Sequence, residues 1–313
     1  MLSKNQIKQW KEQGFVLIEN MFDSNLLQKC VTFMNNRYNK NNVNKDFGSG
    51  SQLEFPSNSI LDQLTINEKI ITCVEQLLGT NNILLSQSDA WGKNGKDDFS
   101  EYIDNDQIMH MDYGNNTFLH PTNWYNPEAV TAIIYLSNTK ETGGATAAVA
   151  REGSNDIVYK IPYINMPGQN KYKFFNDKTQ SENYFIENYP EVANFREKLY
   201  QREKKILANI GDILFYRLDL WHRGTPVKKN KIRNVMNISW KKKECYWINN
   251  WNPGWSKKMY YGSLEKIITN MSVRQRGILG IPLPGDKYWS KEKIVFLKKR
   301  YPKINLIPYL SKM

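Results

Sequence analysis

From Asn82 onward the chain is cut into short β-type runs separated by turns and polar stretches. They are Ile83–Ser88, Val130–Leu136, Thr146–Val149, Asp212–Arg217 and Arg233–Trp240. Short runs rich in β-branched and aromatic residues, bounded by Gly, Pro and Asn, are too brief for a helical core and together require a barrel or sandwich. Before them the pattern is helical. Residues 3–13 end at Gly14 and lead into an apolar run, Phe15-Val16-Leu17-Ile18; Asp23 and Ser24 are cap candidates for a helix over 26–36; another helix is expected over 67–79. Residues 35–51 are polar and read as a loop. The expected organisation is a single domain, 1–313, mainly β with helical additions (α+β). A helical part (1–80) precedes a core formed by 81–152 and 206–245. The segment 153–205, with a helix over 190–205, reads as an insertion or lid, and 246–313 as a basic, aromatic C-terminal extension with helices near 263–271 and 290–301.

Composition narrows the chemistry. With 313 residues, 40% of them hydrophobic, the chain can bury a conventional core. Cys30, Cys73 and Cys245 are its only cysteines and no two are spaced CxxC, so neither a disulfide framework nor a thiolate zinc site can be assembled. Any metal must be held by histidines and carboxylates. No apolar run is long enough to span a bilayer and the first residues lack the apolar stretch of a secretion signal, so a cytoplasmic location is expected. The net charge of +12 is unevenly spread: residues 201–313 hold 25 Lys and Arg against 7 Asp and Glu, and residues 1–200 hold 18 against 24. Such a basic third fits nucleic acid, an anionic lipid surface, an acidic carrier protein, a phosphorylated substrate, or simply a solvated face.

Only three histidines are present. His110 lies in Ile108-Met109-His110-Met111-Asp112. In extended chain, residues two apart point the same way, so His110 and Asp112 could offer a nitrogen and an oxygen to one metal ion; a loop histidine beside an acid is the plainer alternative. His222 follows a Gly211-Asp212 turn and is expected at the end of the strand that the turn starts. After Gly224-Thr225-Pro226 the chain turns again, which puts Arg233 on the adjacent strand with its guanidinium able to reach the same cavity. Two histidines and one carboxylate leave open metal positions, the set used by non-haem Fe(II) oxygenases, and arginine suits bidentate capture of a carboxylate.

These features resemble the phytanoyl-CoA dioxygenase family of Fe(II)/2-oxoglutarate-dependent oxygenases. The likeness runs through Gly14-Phe15-Val16-Leu17, Gln87, His110-Met111-Asp112, Tyr135-Leu136-Ser137, Gly143-Gly144, Gly211-Asp212, His222 and Arg233. The resemblance implies a double-stranded β-helix (jelly-roll, cupin-like) core, with Fe(II) on His110, Asp112 and His222 and the distal carboxylate of 2-oxoglutarate on Arg233. Gln87 and Thr131 are further candidates for contacts to the co-substrate. The implied reaction is hydroxylation of a small-molecule or carrier-linked substrate, coupled to O2 consumption and decarboxylation of 2-oxoglutarate to succinate and CO2. One departure is Ala150-Arg151-Glu152-Gly153-Ser154, where the family carries Gly-Ser-His. A competing reading is a non-catalytic binding module on the same fold, using the basic third for nucleic acid or an acidic partner. Lys241-Lys242-Lys243 and Lys298-Lys299-Arg300, near Trp247, Trp251 and Trp255, would form that surface. A packed skirt around the core is the simpler account of them; His120 could face the substrate and Tyr113 and Trp124 could line the pocket, with a surface or structural histidine and plain aromatic packing as the simpler accounts.

Overall fold

A computed structural model describes residues 1–38, 52–95, 106–112, 126–153, 156, 177–245, 248 and 263–312. The N-terminal helix, Lys4–Gln13, begins with a reciprocal capping box between Ser3 and Gln6 and stops at Gly14, whose φ of 94° lies in the left-handed region. Strand β1 (Phe15–Ile18) follows. Helix Ser24–Arg37 is capped by Asp23, and helix Glu68–Leu78 is capped by Asn67 and ends at Gly79. Both lie where capping residues and apolar spacing predict them.

Strands β2 (Leu53–Glu54), β3 (Ile83–Asn94), β4 (Ala129–Tyr135), β7 (Ile213–Tyr216) and β9 (Ile232–Lys242) join β1 in a six-stranded antiparallel sheet, in the order β1-β7-β4-β9-β3-β2. The register sorts its residues by face. Ala132, Ile134, Ile213, Phe215, Met236 and Ile238 share one face and belong to one apolar cluster with Cys30 and Met34 of the second helix and Ile70, Ile71, Val74 and Leu77 of the helix at 68–78. The other face carries Thr131, Tyr216, Asn237, Ser239, Asp89 and Arg233, an unusually polar set for positions that are mostly buried. Buried polar side chains persist only with partners or a ligand, so this face marks the interior of a site.

A second antiparallel sheet, ordered β6-β5-β8, consists of Lys204–Ile206, Thr146–Ala148 and His222–Gly224. Residues 106–110 extend it: His110 and His222 exchange both backbone N–H···O=C bonds, at 2.9 Å each, and Gln107 N–H donates to the Gly224 carbonyl. Its far face packs on the helix Pro190–Arg202 through Met109, Met111, Leu199 and Trp221.

The strand expected to run from Asp212 to His222 is in fact two. Strand β7 stops at Tyr216, the bidentate pair of Arg217 with Asp219 stabilises a corner, and the chain crosses to the second sheet before His222. Arg233 is therefore not on a strand adjacent to that of His222, as the sequence suggests, but on the facing sheet. Within the expected insertion, 178–188 forms a helix that its weak apolar periodicity does not announce, since Ser181 and Phe185 are its buried residues. Among the described residues no helix is long and apolar enough to cross a membrane.

Candidate metal centre

Alternation in Met109-His110-Met111-Asp112 sends the two methionines to the helix-packed face and His110 and Asp112 inward. Because His110 and His222 are a hydrogen-bonded pair of an antiparallel ladder, their side chains stand on the same face; the ring centroids are 4.5 Å apart. Each imidazole is oriented in the same way. His110 Nδ1 lies 2.8 Å from the carbonyl of Ile108 and His222 Nδ1 3.0 Å from that of Leu220. A carbonyl only accepts, so both Nδ1 atoms donate, and Nε2 is the atom of each ring left to ligate through its lone pair.

Those lone pairs face one carboxylate oxygen. Asp112 Oδ1 is 4.0 Å from His110 Nε2 and 3.8 Å from His222 Nε2, and donor atoms of the three side chains all lie within 4.8 Å of one another. Burial, with His222 adding to it, pulls the His110 pKa down to about 3 against the opposing pull of Asp112, so the ring is neutral. Two imidazole Nε2 atoms and a carboxylate oxygen converge on one point, an arrangement that fits a cation between them. Tyr216, across the cavity on β7, donates to Asp112 Oδ2 at 2.6 Å, and its ring lies 4.9 Å from that of His222. Burial and the Asp112 carboxylate raise its pKa well above 10, which keeps the phenol a donor.

The cavity between the sheets measures about 90 Å³ and is lined by His110, Asp112, His222, Tyr216, Arg233 and Asn237 together with Trp91, Gln107, Ile133, Thr146 and Gly224. Arg233 reaches it past Gly144, where a Cβ would stand 2.8 Å from Arg233 Cδ. Near this guanidinium, Tyr135 donates to Thr146 Oγ1 at 2.8 Å. The Asn237 Oδ1 atom is buried in the wall and accepts no hydrogen bond from the described residues.

The structure thus brings His110, Asp112, His222 and Arg233 to one cavity. It places Thr131 and Gln87 elsewhere. Thr131 sits opposite Tyr216 on the neighbouring strand and shares a hydrogen bond with the Ser239 hydroxyl at 2.9 Å, and Gln87 donates to Asp89 at 2.7 Å; neither lines the cavity. Tyr216, Gln107, Thr146 and Asn237 were not singled out from the sequence, although Asn237 follows Arg233 by four residues on one strand and shares its face. Lys241, expected on a basic surface, is buried and donates to the carbonyls of Cys245 and Ile248. Tyr113, His120, Trp124, Trp247, Trp251 and Trp255 lie outside the described residues.

The chain has the fold of non-heme α-ketoglutarate-dependent enzymes. It is similar to the carbocyclase SnoK from nogalamycin biosynthesis, with a TM-score of 0.55 and 14% identity over 81% of this chain and 89% of that one. The epimerase SnoN, in complex with Fe3+, alpha ketoglutarate and nogalamycin RO, gives 0.53 and 13% over 76% and 83%. EctD from S. alaskensis, with 2-oxoglutarate and 5-hydroxyectoine, gives 0.50 and 11% over 77% and 76%. No protein-family model matches the sequence, and no curated protein matches it.

Proposed function

We propose that this chain is an Fe(II)/2-oxoglutarate-dependent oxygenase of the phytanoyl-CoA dioxygenase type, built on a double-stranded β-helix, that hydroxylates a small-molecule or carrier-linked substrate. The observation that carries the reading is the convergence of two imidazole lone pairs and one carboxylate oxygen on a cavity that also receives an arginine. The fold likeness supports it, since SnoN is described with Fe3+ and alpha ketoglutarate and EctD with 2-oxoglutarate.

His110, Asp112 and His222 would hold the iron. Bound there with 2-oxoglutarate, it supplies O2 activation coupled to decarboxylation to succinate and CO2. Arg233 pairs with the distal carboxylate and so fixes the orientation of the co-substrate by charge-assisted hydrogen bonds. The Ile108 and Leu220 carbonyls keep both histidines in the ligating tautomer. For Gln87 and Thr131 no contact with the co-substrate is proposed. The basic balance of the chain allows the substrate to be anionic.

The test is an anaerobic titration of metal-free protein with Fe(II) and then 2-oxoglutarate, following the visible charge-transfer band of the chelate. A band that disappears in His110→Ala and His222→Ala is expected. In Arg233→Ala the co-substrate should bind roughly a hundredfold more weakly, the loss typical of removing one partner of a buried charge pair. A folded wild-type protein that gives no band overturns the reading. Product mass then separates the outcomes known for this fold: gain of one oxygen marks hydroxylation, loss of two hydrogens a ring closure and unchanged mass an epimerisation.

A further inference from the structure

Asp112 has two oxygens, and the structure gives them different neighbours. Oδ1 faces both histidine Nε2 atoms, at 4.0 and 3.8 Å, while Oδ2 accepts the Tyr216 phenol at 2.6 Å. We propose that Tyr216 is a positioning residue that confines Asp112 to ligation through Oδ1 alone; the proposal rests on the metal site described above.

The physical case is one of competition for an oxygen. A free carboxylate can chelate a metal through both oxygens, which occupies one more coordination position. A site meant to take a chelating co-substrate and then a further ligand beside three side chains has no position to spare. A hydrogen bond to a charged acceptor contributes about 1.5–3 kcal/mol, and chelation by Oδ2 would have to break this one. The donor is itself fixed. The Tyr216 ring packs 4.9 Å from His222, so one side chain braces two of the three ligands, and beside it on the neighbouring strand stands Thr131, whose hydroxyl meets that of Ser239 at 2.9 Å. Tyr216, Thr131 and Ser239 lie on neighbouring strands in register, Tyr216 opposite Thr131 and Thr131 opposite Ser239. Three hydroxyl-bearing side chains in register on the first sheet thus stand in a row, and the first of them, Tyr216, donates to Asp112.

The experiment uses the full chain, stripped of metal and titrated with Co(II) in the absence of 2-oxoglutarate, by calorimetry and by the visible ligand-field spectrum. Tyr216→Phe keeps the ring and its packing and removes the hydroxyl. The expected result is Co(II) affinity weakened about tenfold, the usual scale for loss of a partner behind a metal ligand. Its Co(II) spectrum should also shift to that of a higher coordination number. Thr131→Val, which leaves the phenol in place but removes the polar side chain paired with Tyr216 on the neighbouring strand, should move both readouts in the same direction by less, and it provides the reading if Tyr216→Phe does not fold. Unchanged affinity and an unchanged spectrum in a folded Tyr216→Phe overturn the proposal, even if its melting temperature falls, because a merely structural tyrosine would alter only the latter. Failure of the metal reading itself looks different: wild-type protein would then bind no Co(II) that His110→Ala abolishes.

Discussion

At Gly144 the missing side chain is what admits Arg233 to the cavity. Its φ of +69° is one that other residues rarely adopt, and a Cβ would stand 2.8 Å from both Arg233 Cδ and Val227 Cγ2. Gly144→Ala should therefore displace the guanidinium, raising the KM for 2-oxoglutarate about tenfold or more while leaving Co(II) affinity as in the wild type; equal losses of both would point to general misfolding instead. The thiols offer a second check at this scale. Cys30, Cys73 and Cys245 are all buried, and burial pushes Cys30 up to about 12. Native protein at pH 8 should thus react with Ellman's reagent only on the timescale of unfolding, and rapid labelling would contradict the packing described. His110, Asp112 and His222 were legible in the sequence because period-two alternation and the scarcity of histidine mark them. Tyr216 was not, because its role arises from a contact across two sheets, with a partner 104 positions away.

Among the elements, the helix pair Lys178–Asn188 and Pro190–Arg202 backs the strand that carries His110 and Asp112. Arg196, fully buried, donates to both oxygens of Glu182 and to the Met109 carbonyl at 3.1 Å, while Tyr200 accepts the Met109 N–H at 3.0 Å and donates to Glu182 Oε1 at 2.6 Å. Both backbone groups of Met109, which precedes the proposed metal ligand His110, are thus held by one helix. Arg196→Met leaves the Glu182 carboxylate and the Met109 carbonyl without that cation and should cost about 3–5 kcal/mol in urea unfolding. Replacing both partners, Arg196→Met with Glu182→Leu, should recover much of the loss, since no uncompensated charge remains. The helix at 190–202 could be anticipated from Pro190 at its first position and its apolar spacing. Its companion could not, because polar contacts rather than an apolar stripe fix it. The break between β7 and β8 was hidden for a similar reason: Arg217 and Asp219 turn the chain within a run that reads as continuous strand.

For the whole molecule, the uneven charge has an internal counterpart. Cations of the C-terminal third reach acids from earlier in the chain: Arg274 pairs with Glu68 and Glu75, Arg202 with Asp156, and Arg223 with Asp106 as well as with Glu203 beside it. Others are taken up by carbonyls, as Arg276 is by Ile268, Thr269 and Asn305 and Lys241 by Cys245 and Ile248. Part of the asymmetry is therefore the two portions of one fold meeting, which composition alone cannot distinguish from a surface that awaits a partner. An unrelated oligonucleotide should bind no more tightly than the general non-specific range of about 10⁻⁴–10⁻⁶ M at physiological salt. Tight retention unaffected by chelators would revive the binding-module reading. The alternation of β-type runs announced a β core with helices around it, but pairing order and the division into two sheets depend on contacts between distant segments that no local pattern encodes.

The reciprocal backbone bonds between His110 and His222 join segments more than a hundred residues apart. An ion seated between those side chains, as proposed above, would act as a rivet across that long loop, and the chain would have to close the loop before the rivet could be set, an entropy cost met only by long-range pairing. Once set, the rivet holds the folded state alone, contributing about 4 kcal/mol at a thousandfold excess of metal over its Kd, so unfolding of the loaded chain should begin with release of the ion.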